Sequence, residues 1–491
     1  MAESTALTIP HARHLLRRTG FGATAAEAAT LFGSHATRGG AVDSLLDFKP
    51  SRFRPGGRYI DDVHNKWVKY ISKTRLQLQE KLVLFWHDHF AASYAKVGDL
   101  DLMRNQNRLF RLSCKGDFSA LVKAVNKDAA MMEFLDTVRN RRNEPNENYG
   151  RELQELFTLG VKDLLGNANY AQEDVFQIAR AFTGWDYDAK GVAEFHDGRH
   201  DYQVDYPERG PKVIFKTTGG FGVNGADYTT GGEGATEIDT VIDIILQHRY
   251  GPGLRNTVAD HIAYKLITYF AHPSPSLSFV SDVVDASGFA SNWDIAGLLR
   301  QIFVHDDFYL SAGPPGAGTP KSVKWPVDYA ISALRLLHMR LKGRYQETQG
   351  GSYASIRDHL TNMGQVLFEP PSVFGWDWEL SWMSSSTLLA RYAFARDLIA
   401  SRDGGSTSLR LEKVLDASIF DLTDAGQIVD AVADVLGVDV LDPSAERTAL
   451  IAYLTDNSPA TPVDLHDQDT VERKLHGLFG LLLQSPAFQL Q

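Results

Sequence analysis

Two glutamates, Glu152 and Glu155, stand three residues apart in a segment with helical apolar spacing. On a helix this spacing puts their Cβ atoms about 5–6 Å apart, with Asn148 on the same stripe. Two close, partly buried carboxylates repel each other, so the pKa of one should rise unless a cation lies between them. The pair therefore predicts either an acid/base site or a metal site. The alternative is a solvated pair of acids balanced by Arg151 or Lys162.

A second polar group interrupts the apolar run at 85–90. His87 and His89 lie about 200° apart around a helix, so only one of them can easily join a site with the glutamates. A neutral imidazole there could serve as a ligand or a proton carrier. The alternative for each is a core histidine hydrogen-bonded to a backbone carbonyl. Asp88 shares a helical face with Lys81, and we expect it to be exposed.

Tryptophans are concentrated in a Pro-rich segment at 368–383, and sugar rings or other apolar substrates bind on such faces. The alternative is a loop that folds back to fill the core. A second aromatic stretch repeats a His-Asp pair at 195–201. Taken with the polar helix, these segments predict the following substrate-binding side chains: Asn148, Arg151, Trp86, Trp185, His200, Trp376 and Trp382.

Composition limits the partners. The net charge is −11 without a block of Lys and Arg, so we expect no nucleic-acid partner. The Gly-rich run at 229–234 lacks the lysine of a phosphate loop, so we expect no nucleotide there. Cys114 is the only cysteine, which excludes an internal disulfide and a cysteine cluster. A divalent metal ion, as a possible cofactor, would need His and carboxylate ligands, and the candidates are His87, His89, Glu152 and Glu155.

The chain has no run of about eighteen apolar residues, so we expect no membrane span. The N-terminus lacks the basic-then-apolar order of a secretory signal, and the sequence as written is expected to be cytoplasmic.

The elements that must hold these residues are mainly α-helical. Apolar periodicity predicts helices at 9–18, 24–34, 70–90, 98–113, 118–135, 147–159, 171–183, 236–248, 255–271, 292–304, 325–341, 352–363 and 384–401. The Gly- and aromatic-rich stretch 186–234 is expected to be a long irregular insertion carrying at most a small β-hairpin. We expect one large multi-helix unit, with a helical core at 1–402 and a C-terminal helical segment at 403–491 packed on it.

Several motifs in order resemble the bacterial family called domain of unknown function 1800. They are HLLRRTGFG at 14–22, FWHDHF at 85–90, NENYGRELQELFTLG at 146–160, AFTGW at 181–185, the segment 364–376, and SPAFQ at 485–489. The resemblance covers nearly the whole chain and favours one continuous unit.

Many members of that family look secreted, and their genes often neighbour a sulfatase-like family. The resemblance therefore implies extracellular polymers or sulfated glycans as substrates. Unlike those members, this sequence as written is expected to carry no export signal. It also carries Phe157 where they commonly have histidine, which weakens a metal site that would need that side chain.

Three functions follow as hypotheses. The first is a glycan-active hydrolase or lyase that acts on a small-molecule or oligosaccharide substrate. In it, Glu152 and Glu155 are the acid/base pair, assisted by His87 or His89. The second is a metal-dependent hydrolase or oxidoreductase at the same residues. The third is a non-enzymatic assembly protein in which the polar centre only fixes packing.

Overall fold

A computed structural model describes residues 2–202, 211–227, 234–312, 321–339, 346–347, 353–400, 402–403, 407–408, 411–438, 445–459 and 461–491. The protein is mainly α-helical, which confirms the predicted fold class. The strands are short, and each pairs antiparallel with its neighbour.

The N-terminal half contains these helices: α1 Ile9–Thr19, α2 Ala25–Ser34, α3 Arg38–Leu46, α4 Ile60–Ile71, α5 Gln77–His89, α6 Tyr94–Val97, α7 Leu100–Ser113, α8 Phe118–Asn126, α9 Ala129–Phe134, α10 Glu147–Glu152 and α11 Gln172–Ala181. A π-helical turn, Leu153–Thr158, continues α10.

The C-terminal half contains these helices: α12 Glu237–Ile245, α13 Thr257–Phe270, α14 Leu277–Ser287, α15 Phe289–Asn292, α16 Ile295–Val304, α17 Pro326–Leu336, α18 Ile356–Asn362, α19 Ser385–Ala400, α20 Ala425–Leu436, α21 Glu446–Thr455, α22 Gln468–Thr470, α23 His476–Gln484 and α24 Pro486–Gln489. A second π-helical turn, Val471–Leu475, joins α22 to α23.

Three strand pairs are separate: β1 Trp185–Tyr187 with β2 Ala193–Phe195, β3 Val213–Ile214 with β4 Ala226–Asp227, and β5 Arg249–Tyr250 with β6 Arg255–Asn256. The other four strands form one sheet in the order β10-β9-β7-β8, where β7 is Gln346–Glu347, β8 Tyr353–Ala354, β9 Arg402–Asp403 and β10 Thr407–Ser408. The insertion thus carries the hairpin β1–β2 and a second two-residue pairing, β3–β4. The Gly-rich run at 229–233 lies outside the described residues.

Helix boundaries differ from the sequence prediction where a side chain caps the backbone. The predicted helix 118–135 is two helices, because the Asp128 side chain accepts the Met131 N–H and starts α9. The predicted helix 70–90 begins only at Gln77, after α4 has ended at Ile71. Helices α3, α6 and α14 lie outside every predicted range, and α4 overlaps a predicted range only at residues 70–71.

Helix α5 lies inside the core, and its polar residues from Gln79 to His89 are buried with the apolar ones. Glu80 accepts hydrogen bonds at 2.8 and 2.9 Å from the Arg111 guanidinium and one at 2.7 Å from the Trp67 indole. Lys81 donates to Asp328 at 2.7 Å. Charges at this depth are tolerable only when they are paired and hydrogen-bonded.

The expectation that Asp88 is exposed is wrong. Only 4% of its surface is accessible, and its carboxylate accepts the Trp376 N–H at 2.7 Å. The Pro-rich loop at 368–383 covers this face of α5. The apolar spacing of α5 alone could not predict this contact. Lys81 lies on the same face of α5. It is also buried, and its charge is paired with that of Asp328.

The C-terminal segment packs on the rest of the chain through α23, which contacts α19, and through α20, which contacts α17. The Tyr329 hydroxyl donates to the Leu483 carbonyl, and Arg391 donates to the Gln489 side chain at 3.0 Å. The division of the chain at residue 403 stays a prediction.

Replacing Glu80 tests how far the fold depends on the paired charges of α5. We expect Glu80→Ala to lower the free energy of unfolding by about 3–5 kcal/mol, because it leaves the Arg111 charge buried without a partner. The measurement is urea denaturation followed by circular dichroism. The control is Arg473→Ala, which removes an exposed pair with Asp469 and should cost under about 1 kcal/mol. Equal losses in the two variants would contradict this assignment.

Candidate functional site

The segment with the two glutamates is built from an α-helical turn followed by a wider one. Asn146 caps α10 by accepting the Asn148 N–H at 3.0 Å. Past Glu152 the backbone widens into the π-helical turn, a feature often found at functional sites. Gly160 ends the segment with φ +76°, a left-handed conformation that glycine adopts without strain.

Glu152 and Glu155 are both partly buried. The Oε2 atom of Glu152 is buried and has no hydrogen-bond partner among the described residues. Burial first, and then the charge of Glu155, raises the pKa of Glu152 from 4.5 to about 7, while Arg151 opposes the shift. A carboxyl with a pKa near 7 can donate a proton at neutral pH.

Glu155 differs from Glu152 because it has a partner. The Tyr170 hydroxyl donates a hydrogen bond to its Oε2 at 3.0 Å. Burial and this hydrogen bond raise the pKa of Tyr170 to about 12, so the phenol keeps its proton. Glu155 is therefore held in place, whereas the buried Oε2 of Glu152 has no such contact among the described residues.

His87 is engaged with the backbone of the Pro-rich loop. Its Nε2 accepts the Phe368 N–H at 3.0 Å, and its ring packs edge-on against Trp376. Burial lowers the pKa of His87 to about 3, so the ring is neutral. His87 is thus buried in the core, where its partner is a backbone N–H and not the backbone carbonyl that the alternative specified.

His89 is the histidine that reaches the glutamate segment. Its Nε2 lies 3.1 Å from the carbonyl oxygen of Phe157, in the π-helical turn. Burial lowers the pKa of His89 well below its ordinary value, and the charges of Lys265 and His261 add to this. Because a neutral ring can reach a carbonyl oxygen only by donating, Nε2 carries the hydrogen and Nδ1 is an acceptor. That Nδ1 atom is buried without a partner among the described residues.

Two side chains on α13, His261 and Lys265, complete a second polar centre with Asp88 and His89. They stand one turn apart, and each keeps part of its surface exposed. Burial lowers the pKa of Lys265 to about 8 against the opposing charge of Asp88, and burial lowers the pKa of His261 to about 3. We name Asp88, His89, His261 and Lys265 the α5–α13 centre.

Asp88 is held by the loop as well as by this centre. Burial raises the pKa of Asp88 to about 7, against the opposing effects of the Trp376 N–H, the Lys265 charge and a hydrogen bond with the Trp378 side chain. The sequence analysis missed His261, Lys265 and this role of Asp88. The available signal in the sequence was the pair of polar residues His261 and Lys265, spaced i and i+4 on helix α13.

The α5–α13 centre adjoins the glutamate segment. A Cβ atom at Gly160 would lie 2.9 Å from the ring of His261, so the end of that segment rests against the histidine. The glutamate segment therefore contacts the α5–α13 centre at two points: Gly160 lies against His261, and the Phe157 carbonyl accepts from His89.

The predicted substrate-binding residues have different surroundings. Trp86 is fully buried and donates to the Cys114 carbonyl at 2.9 Å. Trp376 and Trp382 are each 3% exposed, so the loop fills the core with both rings. Trp378, which was not predicted to bind, is the ring of the three that keeps partial exposure. Trp185 is 8% exposed and packs against Phe195.

The remaining polar candidates lie at the surface or in another network. Asn148 is exposed at the start of α10, and Arg151 pairs with Glu147 at 3.1 Å. His200 is fully buried, with its Nε2 at 3.2 Å from Glu237 and its Nδ1 at 2.8 Å from the Thr183 carbonyl oxygen. None of the contacts described for His200 reaches the glutamate pair.

The predicted metal ligands His87 and His89 each have a backbone partner. His87 and His89 both use Nε2 for backbone contacts. Across the residues that the structure describes, no three His, Cys, Asp or Glu side chains are grouped so that they could hold a metal ion.

The fold and the site define a mainly helical protein with a buried, carboxyl-containing polar centre. The chain belongs to the family DUF1800, described as a protein of unknown function, whose model matches residues 14–490. Comparisons with curated proteins and with solved structures give no match. Among the helices of the described residues, none has the length and apolar character needed to cross a membrane.

The pKa of Glu152 predicts how a variant changes stability with pH. Because folding raises this pKa from 4.5 to about 7, the folded state favours the protonated form. The ionised form then penalises folding, increasingly as the pH rises from about 4.5 to about 7. We expect Glu152→Gln, relative to wild type, to be more stabilising at pH 8 than at pH 4.

The measurement is the thermal unfolding midpoint of both proteins at the two pH values. Glu173→Gln, at an exposed glutamate of α11, controls for the loss of a surface charge. A Glu152→Gln difference that is the same at both pH values would show that burial does not act on this carboxyl.

Proposed function

We propose that this protein is a glycan-active enzyme, a hydrolase or a lyase, in which Glu152 is the proton donor. The observation that carries the proposal is the state of Glu152. It is partly buried, its Oε2 atom has no hydrogen-bond partner in the described part of the chain, and its pKa is raised to about 7 by burial and by Glu155. A protonated carboxyl at neutral pH is what cleavage of a glycosidic bond requires at the leaving oxygen.

Glu155 supports Glu152 in this proposal. Two catalytic carboxylates of a glycosidase usually come from different elements, about 5–9.5 Å apart, and not from adjacent turns of one helix. Glu155 is tied to Tyr170 and its charge raises the pKa of Glu152. The positioning role of Glu155 is therefore to keep its neighbour protonated.

A glycan as the substrate class is suggested by the aromatic loop beside this region. Trp378 is partly exposed and hydrogen-bonds Asp88 of the α5–α13 centre. Aromatic faces next to converging polar groups are the usual lining of small-ligand sites. The metal-dependent alternative lacks a comparable observation, because His87 and His89 direct their Nε2 atoms to the backbone.

Activity is tested on a panel of neutral and acidic polysaccharides. Release of reducing ends without new ultraviolet absorbance identifies a hydrolase, and absorbance from an unsaturated product identifies a lyase. We expect Glu152→Gln to lower kcat by about 10²–10⁴-fold, the usual contribution of general acid catalysis. Glu173→Gln is the matched control and should keep wild-type activity.

The pH profile separates the two glutamates. Wild-type kcat should fall as the pH rises through about 7, where Glu152 loses its proton. In Glu155→Gln this alkaline limb should move to lower pH, because the neighbouring charge is gone. Full activity of Glu152→Gln on a substrate that the wild type cleaves would refute the proposal. Absence of turnover, with partner binding and folding unchanged by Glu152→Gln, would favour the assembly hypothesis.

A further inference from the structure

A cavity of about 760 Å³ lies between α1, α2, α3 and the turn that joins α4 to α5, and Arg335 of α17 closes one side of it. Ligand sites in proteins usually have volumes of about 300–1,000 Å³, so this cavity has room for an organic molecule. None of the residues that line it belongs to the glutamate segment or to the α5–α13 centre. It is therefore a separate candidate site.

The motif HLLRRTGFG at 14–22 forms one wall of the cavity. A Cβ atom at Gly20 would lie 3.1 Å from the Cβ atom of Gln77, at the start of α5. A Cβ atom at Gly22 would lie 3.2 Å from the Cβ atom of Ser332, on α17. The motif thus packs directly on two other helices and gives the cavity a close-packed wall.

The apolar part of the lining is mainly aliphatic. It consists of Leu16, Leu31, Leu45, Phe48, Leu76 and Leu78. The Phe48 ring is already covered, because the Nζ atom of Lys115 lies over it at 4.4 Å from the ring centroid. Sugars and flat ligands bind mainly on open aromatic faces, whereas a flexible aliphatic chain packs on leucine side chains. This lining therefore suits an aliphatic chain.

The charged part of the lining favours an anion. Lys73 and Arg75 are exposed, and neither side chain forms an ion pair or hydrogen bond within the part of the chain that the structure describes. Arg335 is paired with Glu27 at 2.8 Å. With Asp47, the lining holds three cations and two acids, a formal charge of +1 in a chain whose net charge is −11. Such a local surplus of positive charge attracts an anionic group.

We propose that this cavity binds a fatty acid, with the aliphatic chain on the leucines and the carboxylate at Lys73 and Arg75. Transfer of the chain from water to the leucine lining supplies most of the affinity, and the two cations select the charge of the head group. The proposal does not rest on the glycan-active function.

A free fatty acid fits these features better than a membrane surface does. Segments that bind anionic membranes usually carry clusters of about four to eight Lys and Arg residues, and their apolar side chains protrude from one helical face. Here two unpaired cations stand beside leucines that line a cavity. The leucines are thus placed to enclose one chain.

The first test measures binding by isothermal titration calorimetry. Octanoate, decanoate and dodecanoate are titrated below their micelle-forming concentrations, and we expect the affinity to rise about fourfold per added methylene group. Decyltrimethylammonium, which has the same chain as decanoate with a cationic head, should bind at least about tenfold more weakly. Absence of binding, an affinity independent of chain length, or equal binding of these two compounds would overturn the inference.

The second test reverses the charge of the rim. Lys73→Glu/Arg75→Glu should weaken decanoate binding by about tenfold or more and make decyltrimethylammonium the better ligand. Lys66→Glu/Arg108→Glu makes the same change in net charge at exposed positions outside the cavity, and it should bind as the wild type does. An equal loss in both variants would show an effect of net charge alone and would also overturn the inference.

The third test locates the ligand. A fatty acid with a diazirine at the end of its chain should cross-link, on illumination, to peptides within 16–48 or 73–78. Cross-links confined to other peptides contradict the site. Sedimentation with phosphatidylglycerol vesicles, without binding of monomeric decanoate, would assign the cations to a membrane surface instead.

These outcomes are separable from those of the proposed function. Glu152→Gln should bind decanoate with wild-type affinity even though its turnover is lost. If no fatty acid binds while Glu152→Gln abolishes turnover of a glycan, the catalytic proposal stands and this site falls.

Discussion

The pairing of charges on α5 is the constraint on which the rest of the structure depends. A helix enclosed on most sides can carry Glu80, Lys81 and Asp88 only if other elements bring partners to them. Helix α7 supplies Arg111, α17 supplies Asp328, and the Pro-rich loop supplies the Trp376 N–H. Segments distant in sequence are thus fixed around one helix, and the polar centre arises where that pairing is incomplete.

Incomplete pairing separates the candidate site from the structural ion pairs. The Glu80 carboxylate has donors on both oxygens, whereas Glu152 Oε2 and His89 Nδ1 have none among the described residues. Satisfied groups stabilise the fold, and unsatisfied groups remain available to a ligand. The difference lies in local packing and not in residue type.

The sequence predicted the proximity of residues best where those residues lie in one helical segment. The proximity of Glu152 and Glu155, and the limit that one of His87 and His89 joins them, follow from helical geometry alone. Lys265 is far along the chain from Asp88, so their meeting depends on tertiary packing that periodicity does not encode. The burial of Asp88 was missed for the same reason, because a loop covers it.

The prediction of secondary structure also succeeded where the signal is local and failed where it is not. Long amphipathic helices such as α1 and α16 were predicted with nearly correct starts or ends, since their apolar spacing is local. The split between α8 and α9 was missed because a single cap at Asp128 outweighs the continuous apolar pattern. The function, the partners and the domain division remain predictions.

The contact between His89 and Phe157 uses the main chain of the π-helical turn, not the side chain. Any residue that keeps the turn can therefore provide the same acceptor. The side chain at position 157 can therefore change without altering which nitrogen of His89 carries the hydrogen. A phenylalanine there costs the protein a possible ligand atom, but it leaves the orientation of the neighbouring imidazole under the control of backbone geometry.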